Sequence, residues 1–177
     1  MAWNPKLKIN LIDVFNRTFA SKPYEVRRSL RQLVRRSDFK DDFGLNAIDV
    51  ITERTLDGKD QYGEKFAGYS KSYKNSDVFE IYGKGSRVDL KLSGEMLASM
   101  QVRSAGDEIT INFIDSLNAS KAYGHITGMS GRKGGVVRDF FGLSKEEEEK
   151  IMKDLVERYA RGDTFEYEED ELLREIG

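Results

Sequence analysis

His125 is the only histidine in the chain, and general acid–base chemistry near neutral pH would have to begin there. It sits between Gly124 and Ile126 with no partner identifiable from the spacing, which fits a structural role better than a catalytic one. Carboxylates are numerous, yet none forms a spaced acid pair in an apolar setting. Glu146-Glu147-Glu148-Glu149 reads as a helix start, where negative charge complements the helix dipole. Asp57-Gly58-Lys59-Asp60 lacks the ligand spacing of a calcium loop. The glycine-rich run Gly128 to Gly135 could cradle phosphate through its amides, with Arg132 and Lys133 as cations. It lacks the strand–loop–helix wording of a nucleotide-binding loop, so a plain mobile loop is the better reading. Arg27, Arg28, Arg31, Arg35 and Arg36 form a second basic footprint. No aromatics interleave them, so base stacking is not expected, and a solvated face or a protein contact fits better. The sequence thus predicts no catalytic residue, no cofactor and no metal.

These residues must be carried by a fold, and composition bounds it. The chain has 177 residues, no cysteine and a net charge of −2. That length suits one domain with terminal arms, able to bury roughly 70% of its unfolded surface without disulfide or metal. Absence of cysteine removes disulfides, thiolate zinc sites and cysteine nucleophiles together. No apolar run approaches the ~20 residues of a membrane span, and the N-terminus has no signal-peptide core. A soluble protein, intracellular at synthesis and without membrane contact, is expected. Charge is uneven: residues 1–36 hold nine Lys or Arg against two acids, and residues 145–177 hold six against thirteen. Opposite ends permit head-to-tail contact between copies.

Hydrophobic spacing predicts a helix over residues 8–20 with Ile12, Phe15 and Phe19 on one stripe, stopped by Pro23. A second helix is predicted over residues 24–36. After a break at Ser37-Asp38 the pattern resumes around Phe43 and ends near Leu56, before Asp57-Gly58. Residues 57–77 read as a loop pegged by aromatics. Residues 78–82 and 88–92 read as strands, and Gly94 to Met100 as one helical turn. Alternation over Met100–Ser104 and Glu108–Phe113, around Ala105-Gly106-Asp107, predicts a hairpin. A short helix is expected over residues 118–127. Ser144 opens the last helix as a capping box with Glu147, and Ile151, Leu155, Val156 and Tyr159 are its apolar stripe. The expected class is α+β: N-terminal helices, a small antiparallel sheet with a hairpin, and a C-terminal helix. The expected division is an N-terminal helical arm over residues 1–40, the main α+β domain over 41–160, and an acidic tail over 161–177.

Three phrases stand out in the second half. They are Leu92-Ser93-Gly94-Glu95-Met96-Leu97-Ala98-Ser99, Ala122-Tyr123-Gly124-His125-Ile126-Thr127-Gly128 and Arg138-Asp139-Phe140-Phe141-Gly142-Leu143-Ser144. The first resembles a Leu-x-Gly-x-Leu/Met-x-x-Ser element of the virion-morphogenesis and tail-completion family of tailed bacteriophages. The second is similar to that family's Tyr-Ala-x-x-His-x-x-Gly element, with the histidine displaced by two positions. The third is similar to its Arg-x-Phe-Leu-Gly-Leu-Ser phrase, with Phe141 for Leu and Val136-Val137 where a proline usually stands. Asp57-Gly58 and Phe66-Ala67-Gly68-Tyr69-Ser70 resemble its upstream Gly-rich phrase. The resemblance runs from about residue 45 to about 160 and is most specific in the third phrase.

The resemblance implies a structural virion protein assembled in the bacterial host cytoplasm and resident in the tail or neck. It implies a homo-oligomeric ring of six copies at the head-proximal end of the tail. That ring would terminate the tube and mediate head–tail joining, with tube, sheath or neck and connector proteins as partners. Leu92, Gly94, Met96, Ser99, Tyr123, His125, Gly128, Arg138, Phe140, Phe141, Gly142, Leu143 and Ser144 are then structural. Expected interfaces are Arg27, Arg28, Arg31, Arg35 and Arg36 against Glu168, Glu169, Asp170 and Glu171 of a neighbour. Arg132 and Lys133 are expected to face a partner or a DNA-carrying lumen. Alternatives are a head-completion ring below the portal, a nucleic-acid-binding accessory protein using the arginine helix, and a hydrolase using His125.

Overall fold

The computed structural model describes residues 3–91, 93–129 and 135–161. It has the α+β class expected from the sequence. In chain order the elements are β1 (Leu7–Asn10), α1 (Leu11–Thr18), α2 (Tyr24–Val34), α3 (Ser37–Leu56), α4 (Lys71–Lys74), α5 (Asp77–Ile81), α6 (Glu95–Ala98), β2 (Met100–Ala105), β3 (Glu108–Phe113), α7 (Ser116–Thr127) and α8 (Lys145–Arg161). The hairpin strands and β1 form one three-stranded antiparallel sheet in the order β1-β3-β2. The central strand β3 turns Ile109, Ile111 and Phe113 fully inward, as a period of two requires.

The chain divides into two compact units. One comprises Met1–Leu7, Ile48–Gln101 and Asn112–Ser144; the other comprises Lys8–Ala47, Val102–Ile111 and Lys145–Gly177. The sequence-based boundary at residue 40 falls within α3, inside the Lys8–Ala47 segment.

In the second unit α1, α2 and α8 pack on one another. Phe15, Leu30, Phe39, Phe43, Met152 and Val156 are fully buried there, each worth roughly 2 kcal/mol of transfer free energy. Arg17 on α1 donates to Glu149 at 2.8 Å and also binds Glu148, which uses the glutamate run as an internal clamp. Gly44 lets α3 close on Val102 of β2, since a Cβ there would collide with the valine side chain.

Five sequence expectations are corrected. The break expected at Ser37-Asp38 lies instead at Arg35-Arg36, and α3 begins at Ser37. Residues 8–20 are not one helix. Leu7–Asn10 is a strand, and Asn10 Oδ1 then accepts from the amides of Ile12 (3.0 Å) and Asp13 (3.1 Å), capping α1. Residues 78–82 are not a strand. Ser76 caps α5 by accepting from the Phe79 amide, and the Phe79 ring packs edge-on against Tyr69 (5.6 Å) and Tyr73 (5.7 Å). Nor do residues 88–91 form a strand. Leu90 takes a left-handed φ of 49°, and Asp89 Oδ1 accepts from Lys84 Nζ (2.8 Å) and the Lys91 amide (3.0 Å). The loop expected over 57–77 contains the single-turn helix α4.

Gly128 ends α7 at φ 70°, and a Cβ there would press on the carbonyl oxygen of Gly135. Left-handed backbone costs an L-residue roughly 1–2 kcal/mol before that contact is counted. Gly128→Ala is therefore expected to lower Tm by about 4–8 °C, at roughly 2–4 °C per kcal/mol for this chain length. A thermal melt followed by circular dichroism reads it, and a change under about 1 °C would refute the account of this cap.

Candidate functional site

The three phrases lie in the first unit and are used there for backbone placement. Gly94 adopts φ 88° at the start of α6. Met96 and Ser99 are buried; the Ser99 hydroxyl donates to the Met96 carbonyl at 2.8 Å, and the Ser99 carbonyl accepts from the Ile114 amide at 2.8 Å. That bond leashes the first phrase to the end of β3. The second phrase forms the C-terminal half of α7 and its Gly128 cap; the helix is capped at its start by Asp115, whose carboxylate accepts from the Asn118 amide at 2.8 Å. Two bonds at that cap hold Asp115 below the usual carboxylate range.

The third phrase is joined to the second by the Arg138 amide, which donates to the His125 carbonyl at 2.8 Å. Phe140 is fully buried and Phe141 nearly so, with the Phe141 ring 5.0 Å from Phe113. Two residues whose part in this phrase was not foreseen clamp it. The Arg54 guanidinium donates to the carbonyls of Phe140 (2.9 Å) and Gly142 (2.6 Å). The Gln61 amide donates to the Asp139 carbonyl at 2.8 Å, and its side chain also binds the Asp139 carboxylate. The Gln61 side chain also occupies the space a Cβ on Gly142 would need. Burial pushes the Asp139 carboxyl up, and the Gln61 hydrogen bond pulls it partly back. Leu143 is half-buried and Ser144 directly precedes α8.

His125 is mostly buried, and burial followed by the nearby Arg138 cation pushes its pKa down to about 4. It is neutral at pH 7, and no carboxylate orients its ring among the described residues. Asp60, which the calcium-loop reading would have made a ligand, is a turn-former: its Oδ1 accepts from the amides of Tyr62 and Glu64, both at 2.9 Å.

The surface of the same unit keeps several large apolar side chains in water. Trp3, Ile114, Leu117 and Met129 are exposed. The Trp3 ring meets Tyr123 edge-on at 4.6 Å, and the Tyr123 hydroxyl reaches Met129 Sδ at 3.7 Å. Trp3 and Ile114 flank the pair in which Asn4 Nδ2 donates to the Phe113 carbonyl at 2.8 Å and the Phe113 amide donates back at 3.2 Å. Neither Trp3 nor its pairing with Tyr123 was singled out from sequence.

In the second unit, α2 carries the arginines. Tyr24, Arg27, Arg28, Arg31, Gln32 and Arg35 line a groove of about 320 Å³. Arg31 is held by Asn16 at 2.7 Å and lies 5.8 Å over the Phe15 ring. Arg36 turns to other partners: it pairs with Asp38 and stacks 5.4 Å from the Tyr159 ring. Leu92, Arg132, Lys133, Glu168, Glu169, Asp170 and Glu171 lie outside the described residues. The chain matches no protein-family model, no curated protein and no solved structure.

Proposed function

We propose that the chain is a structural virion protein of a tailed bacteriophage, a tail-completion or terminator ring at the head-proximal end of the tail. The reading starts from the order and wording of the three phrases. The observation that supports it is the exposed Trp3 and Met129, joined through the half-buried Tyr123, with exposed Ile114 and Leu117 on the same unit that those phrases build. Exposed clusters of large apolar side chains mark contact surfaces. Repeated around an axis, modest contacts become strong through multivalency. The partners proposed are further copies of the chain, with tube, sheath or connector proteins above and below.

A second reading, a nucleic-acid-binding accessory protein, draws on the α2 arginine groove. Removing the coding sequence from the phage that carries it and imaging the particles separates these. Tails of uncontrolled length are the expected result. Tails of normal length that fail to join heads would move the protein to the neck. Normal, infectious particles would overturn the proposal.

A further inference from the structure

Among the described residues no ion pair reaches Arg27, Arg28, Arg31 or Arg35. The Nε atoms of Arg27 and Arg31 are buried and have no hydrogen-bond partner. The only acid on α2 is Glu25. Four guanidiniums with Tyr24 beside them make a groove for a peptide of carboxylates and aromatic rings.

The chain itself contains such a peptide. Residues 163–171 read Asp-Thr-Phe-Glu-Tyr-Glu-Glu-Asp-Glu, with six carboxylates and two rings. The described chain runs to Arg161 at the end of α8. Two residues earlier, the Tyr159 ring lies 5.4 Å from the Arg36 guanidinium carbon, so this end of α8 sits beside the C-terminal end of α2. α2 is 11 residues long, about 16 Å at helical rise. Residues 162–171 can span up to about 33 Å when extended. The segment can therefore run the length of its own α2. A short tether holds it there at an effective concentration on the order of millimolar, which a second copy at micromolar concentration cannot match.

We infer that residues 163–171 dock along the arginine groove of α2 in the same chain, with their carboxylates on Arg27, Arg28, Arg31 and Arg35. This goes beyond the assembly reading and stands without it; in a ring the same segment would exchange onto a neighbour's α2.

The test uses the full chain and a labelled peptide of residues 163–171, read by fluorescence anisotropy. The chain with E168Q, E169Q, D170N and E171Q should bind the peptide at least about 10-fold tighter than the unaltered chain at low salt, because its own competitor is weakened. The gap should close at about 0.5 M salt. Adding Arg28→Gln and Arg35→Gln should remove peptide binding while the melting temperature holds, since both side chains are exposed. Equal peptide binding to the two chains, or none to either, overturns the inference. So does a dimer of the unaltered chain by light scattering that neutralising the segment returns to monomer, which would place the segment on a second copy. A single-stranded oligonucleotide that binds both chains equally well would show an open groove and overturn it too.

Discussion

Phe113→Ala is expected to lower the free energy of unfolding by about 3–5 kcal/mol, the usual cost of deleting a fully buried ring. Phe113 is 0% exposed and ends the central strand β3. Its ring carries Phe141, 5.0 Å away, and Phe141 in turn packs against Phe140. Removing the ring strips the third phrase of its platform. The backbone at the same position stays tied through both bonds to Asn4, so the sheet cannot easily move in to fill the void. That favours the upper part of the range, because the cost grows with the cavity left behind. Phe113→Leu keeps most of the volume and loses mainly the aromatic pairing, worth roughly 0.5–1.5 kcal/mol beyond area. Urea unfolding checks both variants. The alanine variant should shift the midpoint by about 1–2 M at m near 2–3 kcal/mol/M, and the leucine variant by a fraction of that. Equal, small shifts would mean that Phe113 does not hold the phrase.

What the sequence disclosed tracks how local each signal is. α2 and α8 were legible because Val26, Leu30, Leu33 and Val34, and Ile151, Leu155 and Val156, recur at helical spacing within one element. α3 was legible only from Phe43 to Leu56; its start at Ser37 was read as a break. The hairpin was legible because Ile109, Ile111 and Phe113 alternate beside a Gly-Asp turn. β1 was not. Leu7 and Ile9 alternate for only four residues, then merge into the helical stripe of α1. Their strand character comes from pairing with β3, about a hundred residues away: Lys8 Nζ meets Glu108 at 2.9 Å, and the Leu11 amide meets the Asp107 carbonyl at 2.9 Å. α5 was misread because Val78, Phe79 and Ile81 have strand propensity, and the cap at Ser76 with aromatic packing outweighed it. The glycines of the site announced their backbone angles. The clamps on the third phrase did not, because Arg54 and Gln61 reach it across 78 to 88 positions, and no spacing rule links them.

His125 sets the second large effect, and its sign is the reverse of a histidine that gains a carboxylate partner. Its pKa falls from 6.5 in the unfolded chain to about 4 in the folded one, because burial and then Arg138 disfavour the imidazolium. Between those values the unfolded chain binds one more proton than the folded chain, so stability falls as pH falls. The contribution is fully present above pH 6.5 and is lost on the way down to about 4. At 1.36 kcal/mol per unit, the loss is on the order of 3 kcal/mol. Other groups titrate nearby with mixed signs. Asp139 and Glu148 have raised values, which favours the folded state as they protonate; Asp38, Asp89 and Asp115 have lowered values and act the opposite way. A single acid titration therefore does not isolate the histidine, but a pair of titrations does. His125→Gln removes this proton and leaves the other carboxyls in place. Urea midpoints at pH 7.5, 5.5 and 4.5 should show the unaltered chain losing about 2–3 kcal/mol more than the variant over that span, most of the full loss. Parallel curves would mean that the ring is hydrated in the folded state. That outcome would also reopen acid–base chemistry at this position, since a hydrated imidazole with an ordinary pKa can exchange protons near neutrality and one held at about 4 is a poor base there.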